Sequence, residues 1–299
     1  MTHRKFDLGA RQWLDLFGVG VACALPMHIL AQAGAPQHQD VVYATVDGME
    51  LALDIYMPAG VESPPLLVWV HGGAWSRGSK EQARLEFVEA GIATASLDFR
   101  QSTDAQFPAA IHDIKAAIRF LRANASVYGY RTDRIAISGN SSGGHLAALV
   151  GVSNGHPSLE GTVGDHLDQS SDVQAIISYY GASNLTTILA QSTPFGLGVR
   201  EPALTRLLGA LPDDTKDLAE LASPVFQVDR GDPPLLLLHG DQDPQMPINQ
   251  AHELVGAYKQ LGLDVTFDVV HGAAHGGRAF HRDDHLTGAL EFLSRTIGR

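Results

Sequence analysis

The sequence is poor in the residues that build disulfides and metal centres. Its 299 residues include one cysteine, Cys23, so neither an intrachain disulfide framework nor a cysteine-based metal site can form. The 14 histidines are dispersed, and neither an HExxH nor a CxxC pattern occurs. We therefore expect no metal centre, and a fold that is held together by its hydrophobic core.

Positive charge is also scarce. The chain has 21 lysine and arginine residues against 33 aspartate and glutamate residues, which gives a net charge of −12. Because nucleic acids and anionic membrane surfaces attract basic proteins, neither is expected as the main partner. The composition is 44% hydrophobic, which is enough to bury a sizeable core in a chain of this length.

Long hydrophobic runs are missing as well, apart from one near the N-terminus. Positively charged residues precede an apolar run at 16–30, and the small residues AQA follow at 31–33. This order is typical of a secretory signal peptide. Pro26 interrupts the run, whereas a membrane span needs about 20 apolar residues. We therefore predict that 1–33 is cleaved and that the mature protein is secreted or periplasmic, without a stable membrane span; an uncleaved anchor is the alternative.

From residue 41 onward, short apolar runs alternate with helical segments. This alternation predicts an α/β fold with a mainly parallel central sheet and helices on both faces. A DG turn at 47–48 between two apolar runs predicts a hairpin, which adds antiparallel strands at one edge. Strands are predicted at 41–46, 51–57, 64–73, 91–99, 134–139, 173–181, 233–240 and 264–270, and helices at 80–91, 107–129, 142–151, 247–262 and 283–297.

The segment 182–228 breaks this alternation. It is rich in proline, glycine, serine and threonine, and its pattern is helical only around 203–209. We expect a lid-like excursion over the carboxyl edge of the sheet, where the ligand sites of α/β proteins lie. Since no change of composition marks a second domain, 34–299 is expected to form one catalytic domain.

A serine with glycines two residues away on either side lies between a predicted strand and a predicted helix. The stretch GNSSG at 139–143 has the form G-x-S-x-G, and its context is the strand–turn–helix of a nucleophile elbow. The glycines relieve crowding at such a sharp turn, and the turn would expose Ser141 at its tip. An ordinary Gly/Ser turn is the alternative reading of these five residues.

A serine nucleophile needs a base, and the base needs an orienting acid. Asp241 and Asp243 follow one predicted strand, and His271 and His275 follow the next. These loops lie at the same sheet edge as Ser141 and come in the order serine, acid, histidine. The spacing alone does not decide between the two aspartates or between the two histidines.

Another glycine-rich loop, HGGAW at 71–75, directly follows a predicted strand. Acyl transfer generates an oxyanion, and fixed backbone N–H groups stabilise it. A loop without side chains can present such donors, although a plain Gly-Gly turn would look the same in the sequence.

Together, the stretches 71–80, 107–149, 235–247 and 272–277 resemble the α/β-hydrolase carboxylesterases of the bacterial feruloyl and acetyl esterase type, over about 41–297. The resemblance implies that no metal or organic cofactor is needed. Two departures are visible: Ala74 replaces the third glycine of an HGGG loop, and GNSSGG replaces the common GDSAGG. His145, four residues past the serine, is expected to be structural. The roles implied by the resemblance are nucleophile for Ser141, acid for Asp243, base for His275, and backbone oxyanion donors for Gly73, Ala74 and Ser142.

The expected function is therefore a serine-dependent carboxylic ester hydrolase that forms an acyl-enzyme. The resemblance implies short-chain acyl or feruloyl-type esters, either small molecules or linked to polysaccharide. An arylformamidase and a prolyl-oligopeptidase-like peptidase are alternatives, although 34–60 is too short for the propeller that such peptidases usually carry. A non-catalytic α/β-hydrolase-fold binding protein is the non-enzymatic alternative. The sequence does not predict an oligomeric state.

Overall fold

The computed structural model describes residues 34–298. The predicted signal peptide at 1–33 lies outside the described residues, so its cleavage stays a prediction. Within 34–298, no helix is long and apolar enough to cross a membrane.

One eight-stranded sheet organises the described residues, in the order β1-β2-β4-β3-β5-β6-β7-β8. β2 pairs antiparallel with both β1 and β4. The remaining neighbours in this order, from β4 through β3 and β5 to β8, pair in parallel. This confirms the predicted α/β fold, including the antiparallel hairpin at one edge. The strands are β1 His38–Val46, β2 Met49–Tyr56, β3 Leu66–Val70, β4 Ala93–Leu97, β5 Ile135–Asn140, β6 Ala175–Tyr179, β7 Leu235–Gly240 and β8 Val265–Val270.

Helices cover both faces of the sheet because the central strands are apolar on both sides. On β3, Leu66, Val68 and Val70 belong to one buried cluster, which includes residues of α2, α4 and α10. Leu67 and Trp69 point to the other face and belong to a second cluster, with residues of α1 and α11. The helices are α1 Leu85–Glu89, α2 Ala109–Ala123, α3 Ala125–Tyr128, α4 Ser142–Gly151, α5 Pro157–Glu160, α6 Ile188–Gln191, α7 Pro194–Leu208, α8 Lys216–Leu221, α9 Pro224–Gln227, α10 Asn249–Gln260 and α11 Asp283–Thr296.

The helix predicted at 107–129 is divided into α2 and α3. Asn124 interrupts it: both its backbone N–H and its side-chain Nδ2 donate to the carbonyl of Phe120, at 3.0 and 2.9 Å. Asparagine side chains compete in this way with helical hydrogen bonds. Gly129 ends α3 in the left-handed conformation, with φ of 86°. The helix predicted at 80–91 is likewise shorter, a 3₁₀ turn at Lys80–Gln82 followed by α1.

The segment 182–228 contains more helix than its composition predicts. It holds α6 to α9, and α7 runs over 15 residues instead of the predicted 203–209. Pro194 occupies the first turn of α7, where a missing N–H costs nothing, so a proline-rich composition is compatible with this helix. The side chain of Thr193 accepts a hydrogen bond from the N–H of Gly196 at 3.0 Å and caps this helix.

Candidate active site

Four loops that the sequence singled out leave the same edge of the sheet. They follow β3, β5, β7 and β8, which are mutually parallel, so their carboxyl ends lie together. The structure thus brings together the HGGAW loop, the G-x-S-x-G turn and the two loops that carry the aspartates and histidines.

Ser141 occupies the sharp turn between β5 and α4. Its backbone has φ of 55° and ψ of −121°, a strained combination for a residue with a side chain. The flanking glycines are required by close backbone approach: a Cβ on Gly143 would lie 2.1 Å from the carbonyl oxygen of Val70. A Cβ on Gly139 would lie 2.4 Å from the carbonyl oxygen of Gly143. The GNSSG stretch is therefore built for a turn that no bulkier sequence could follow.

The side chains of Ser141, His275 and Asp243 form a continuous hydrogen-bonded chain. Ser141 Oγ lies 2.8 Å from His275 Nε2, and His275 Nδ1 lies 2.6 Å from Asp243 Oδ2. Because an ionised carboxylate can only accept, Nδ1 carries the imidazole proton and Nε2 is free to accept from the serine hydroxyl. The ring of Tyr180 packs edge-on against His275, with centroids 4.9 Å apart.

Asp243 is buried, with its side chain 1% exposed, yet it is ionised. Burial raises the pKa of a carboxyl group, but hydrogen bonds from His239 and His275 outweigh this effect and hold the pKa of Asp243 well below its ordinary value. Its second oxygen, Oδ1, accepts from the backbone N–H groups of Gln245 and Met246, at 2.8 and 2.9 Å. The carboxylate is therefore fixed in orientation as well as in charge.

His239, the last-but-one residue of β7, belongs to this site and was not recognised in the sequence. Its Nε2 lies 2.9 Å from the carbonyl oxygen of Met246 and 3.4 Å from Asp243 Oδ2. Since a carbonyl only accepts, Nε2 carries a proton and shares it between these two oxygens. The one available signal is a polar residue at the end of the apolar run LLLL, just before the loop that carries the acid.

The second aspartate and the second histidine pair with each other at the surface. His271 Nδ1 lies 2.8 Å from Asp241 Oδ2, and the N–H of Gly272 donates to Asp241 Oδ1 at 2.8 Å. The His271 side chain is 83% exposed. These bonds lower the pKa of Asp241, the bond from His271 most of all. Asp241 thus ties two neighbouring loops together, at a distance from the serine.

The HGGAW loop presents backbone N–H groups beside Ser141. Gly73 and Ala74 both have positive φ, 129° and 54°. The N–H of Gly72 donates to Asn140 Oδ1 at 3.0 Å, whereas within 34–298 the N–H groups of Gly73 and Ala74 have no acceptor. Ser142, the first residue of α4, has an N–H without an acceptor in the same range. All three predicted oxyanion donors are therefore free to bind a ligand.

A buried histidine connects this loop to the excursion. Trp75 Nε1 donates to His145 Nδ1 at 3.0 Å, and His145 Nε2 donates to the carbonyl oxygen of Ala222 at 2.7 Å. Because Nδ1 accepts and Nε2 donates, the ring is neutral. Burial lowers the pKa of His145 to about 4, which favours the same neutral form. The structure thus places His145 in packing contacts, as the sequence predicts.

A cavity of about 400 Å³ opens above the serine. Its walls are mostly polar, and they include two arginines, Arg77 and Arg200. No cluster of three or more histidine, cysteine, aspartate or glutamate side chains suited to a metal ion occurs among the described residues.

A mostly parallel sheet with a serine after β5, an aspartate after β7 and a histidine after β8, in that chain order, defines the α/β-hydrolase class. Within this class the chain belongs to the BD-FAE family, whose profile matches residues 53–258. Esterase LipQ of Mycobacterium tuberculosis is 33% identical over 238 residues, which make up 76% of this chain and 54% of LipQ. The chain spans about half the length of curated relatives such as LipQ and LipC of Mycobacterium tuberculosis.

Solved structures agree with this assignment. A truncated carbohydrate esterase from gut microbiota has a TM-score of 0.80 and 30% identity, over 87% of this chain and 95% of that chain. Esterase 2 of Thermogutta terrifontis, in a structure phosphonylated by sarin, has a TM-score of 0.72 and 29% identity, over 87% and 95%. The predicted resemblance to α/β-hydrolase carboxylesterases is thereby confirmed, while the roles of the individual site residues stay predictions.

Proposed function

We propose that the protein is a serine-dependent carboxylic ester hydrolase that works through an acyl-enzyme. The hydrogen-bonded chain from Ser141 through His275 to Asp243 is the observation that carries this proposal. It supplies a nucleophile, a general base and a buried, ionised acid in the required order.

In the first half-reaction, His275 Nε2 takes the hydroxyl proton while Ser141 Oγ bonds to the ester carbonyl carbon. Asp243 stabilises the imidazolium that forms, and its fixed orientation keeps Nε2 directed at the serine. His275 then returns the proton to the leaving alkoxide, the carbon–oxygen bond breaks, and the acyl group stays on the serine. In the second half-reaction, water replaces the alcohol and the same proton transfers release the acid.

The negative charge on the carbonyl oxygen would be held by the N–H groups of Gly73, Ala74 and Ser142. These donors lack acceptors within the described part of the chain, so they are available to the oxyanion without first breaking another hydrogen bond. A preorganised oxyanion donor is worth roughly 3–4 kcal/mol of transition-state stabilisation. The substitution of Ala74 for a third glycine keeps the N–H and so keeps this function.

For the substrate we propose esters of short-chain acyl or feruloyl-type acids, either free or attached to a polysaccharide. The cavity of about 400 Å³ is large enough for an acyl group of this size. The similarity to a carbohydrate esterase supports a sugar-linked ester. We further propose that the enzyme acts after export and loss of residues 1–33, in the periplasm or outside the cell.

The nucleophile is tested by covalent labelling. We expect an organophosphonate to block hydrolysis of para-nitrophenyl acetate and to add its mass to the peptide that contains Ser141. Ser141→Ala should abolish both labelling and turnover, whereas Ser142→Ala keeps the backbone N–H and should retain both. Labelling on another peptide, or an active Ser141→Ala variant, would contradict the proposal.

The substrate class is tested by comparing kcat/KM across para-nitrophenyl esters of increasing acyl length, together with methyl ferulate and acetylated xylan. A decline with acyl length is expected because Val199 and Arg200 of α7 line one wall of the cavity and limit the length of acyl chain that fits. Hydrolysis of an aryl formamide or a peptide in preference to every ester would show that one of the alternative activities is correct.

A further inference from the structure

Arg200 is a buried cation on the wall of the catalytic cavity. It belongs to α7 in the excursion and is 1% exposed, yet it lines the same cavity as Ser141 and His275. Its side chain takes part in none of the proton transfers of the proposed reaction.

The contacts of Arg200 leave much of its guanidinium unsatisfied. Nε donates to the carbonyl oxygen of Gln245 at 3.2 Å, and the guanidinium carbon lies 5.9 Å from the centroid of the Trp75 ring. Nη1 is buried without a hydrogen-bond partner, and among residues 34–298 no carboxylate lies within 4.0 Å of the side chain. Buried charges in proteins are normally paired, because an unpaired one loses its hydration without compensation.

The side chain is nevertheless charged under ordinary conditions. Burial lowers the pKa of Arg200 to about 10, and the negative charge of Asp243 opposes this effect. At neutral pH the guanidinium therefore remains protonated. The guanidinium has lost its hydration but has no carboxylate partner in the described part of the chain. It is therefore suited to binding an anionic group of a ligand.

The residues that line the cavity include two arginines and no acidic side chain, although the whole chain has a net charge of −12. Arg77 lines the same cavity, and neither aspartate nor glutamate is present among its lining residues. A second cavity of about 370 Å³ shares Gly277 with the first and is lined by Arg84 and Arg278, which have no carboxylate within 4.0 Å among the described residues. Its other lining residues are His281, which lies 3.2 Å from Glu86, and Arg282, which lies 3.5 Å from Asp283. A local positive potential of this kind attracts anionic substrates to the site.

We propose, on the basis of the ester hydrolase function above, that the cavity selects esters that carry a carboxylate and that Arg200 binds this group. A guanidinium has a planar fork of donors that matches a carboxylate, and such charge-assisted bonds are stronger than neutral ones. The carboxylate belongs to the acyl part, as in a half-ester of a dicarboxylic acid, or to the alcohol part, as in a uronic acid.

Two pairs of esters distinguish these sources. In each pair one ester carries the carboxylate, and the other carries a neutral carboxamide in its place. For the alcohol part, para-carboxyphenyl acetate is compared with para-carbamoylphenyl acetate. For the acyl part, the mono-para-nitrophenyl ester of glutaric acid is compared with the para-nitrophenyl ester of its monoamide. We expect the charged ester to have kcat/KM roughly tenfold higher in one pair, mainly through KM, as for a charge-assisted hydrogen bond.

Three variants assign the preference to Arg200. Arg200→Gln should bring the ratio of charged to neutral kcat/KM to about one, and Arg200→Lys should keep part of it, because the charge remains but the fork is lost. Arg206→Gln is the matched control, since Arg206 lies exposed on the same helix and does not line the cavity. Thermal unfolding shows which variants are folded.

The outcomes separate the two proposals. If the wild-type protein hydrolyses the neutral esters but prefers the charged ester in neither pair, the inference is wrong and the ester hydrolase function stands. An unchanged ratio in a folded Arg200→Gln variant would also overturn it. If Arg200→Gln does not fold, the wild-type ratios and the Arg200→Lys variant decide. Hydrolysis of none of the esters would contradict the proposed function and this inference with it.

Discussion

His275 donates its Nδ1 proton to Asp243 across 2.6 Å, while the neighbouring His271 makes the same kind of bond to Asp241 across 2.8 Å. Two aspartate–histidine pairs thus span the same two loops, one buried against the serine and one exposed to solvent. The difference between them is testable, because each pair serves as the control for the other.

The two aspartates should respond differently to replacement by asparagine. Asp243→Asn removes the charge that stabilises the imidazolium and the acceptor that fixes its tautomer, so turnover should fall by about 10⁴-fold. Asp241→Asn should leave turnover within about threefold of wild type, because exposed ion pairs contribute little. Turnover and the thermal midpoint of each variant are the measurements. If Asp241→Asn folds but is inactive, the assignment of the acid to Asp243 is wrong.

Activity should decline at acidic pH because a cationic imidazole cannot accept the proton of Ser141. His275→Ala should lose this activity altogether, whereas His271→Ala should keep both the activity and the acid limb of the profile. The profile of kcat/KM against pH for the wild-type protein and His271→Ala is the measurement. A changed acid limb in His271→Ala would mean that the exposed histidine takes part in the proton transfer.

The neutral state of His145 should make the fold less stable in acid. Its folded pKa of about 4 is lower than the ordinary value of about 6.5, so below the latter the unfolded chain binds a proton that the folded chain does not. The contribution of neutral His145 to the free energy of unfolding is complete above pH ~6.5 and is lost as the pH falls toward 4. At pH ~5 this loss amounts to about 2 kcal/mol.

This loss is measured as the difference in unfolding free energy between neutral and acidic urea titrations. His145→Gln retains a donor and an acceptor but does not titrate, so it should lose about 2 kcal/mol less than wild type over the same interval. Equal losses in the two proteins would show that His145 is not the group that titrates.

Gly143→Ala should prevent folding of the native turn. The added carbon would lie 2.1 Å from the carbonyl oxygen of Val70, which belongs to a central strand and cannot move aside. Gly256→Ala in α10 is the control, because nothing lies within 4 Å of its Cβ position; it should stabilise the fold by about 0.5–1 kcal/mol. Soluble yield and thermal midpoint compare the two. A folded, fully active Gly143→Ala variant would show that the turn is less crowded than described.

Residues 1–33 should be missing from the exported protein, because a charged start, an apolar run and AQA form a cleavable signal. N-terminal sequencing of the protein recovered after export decides this. A chain that starts at Met1 and fractionates with membranes would support the uncleaved anchor instead.

Most of the sheet was predictable from the sequence because its strands are short apolar runs with glycine or proline at their ends. The β5–α4 turn was predictable for a different reason. Only glycine fits beside Val70, so the glycines in the sequence indicate a sharp turn with close backbone contacts. The choice of Asp243 over Asp241 came from the resemblance, since it depends on how the loop turns after β7.

His239 and Arg200 were not predictable in this way. His239 meets Asp243 and Met246 only because the loop after β7 turns back on itself. Arg200 contacts Gln245 and Trp75, which are far away in the sequence, only because α7 folds back over the sheet. The predicted helix at 203–209 is shorter than α7, which begins at Pro194. Composition does not distinguish a proline in the first turn of a helix from a proline that ends one. Composition describes which residues are present, but not which of them the chain topology brings together.

The hydrogen bonds from Trp75 to His145 and from His145 to Ala222 bear on how this scaffold can be re-engineered. Exchanging 182–228 for the equivalent segment of a relative is an obvious route to new selectivity. Such a graft would also change the chain path that places the backbone carbonyl of residue 222 against His145, and with it the support of the tryptophan next to Ala74. A chimaera should therefore keep a backbone carbonyl within hydrogen-bond distance of His145 Nε2, or take the loop at 71–75 from the same donor protein.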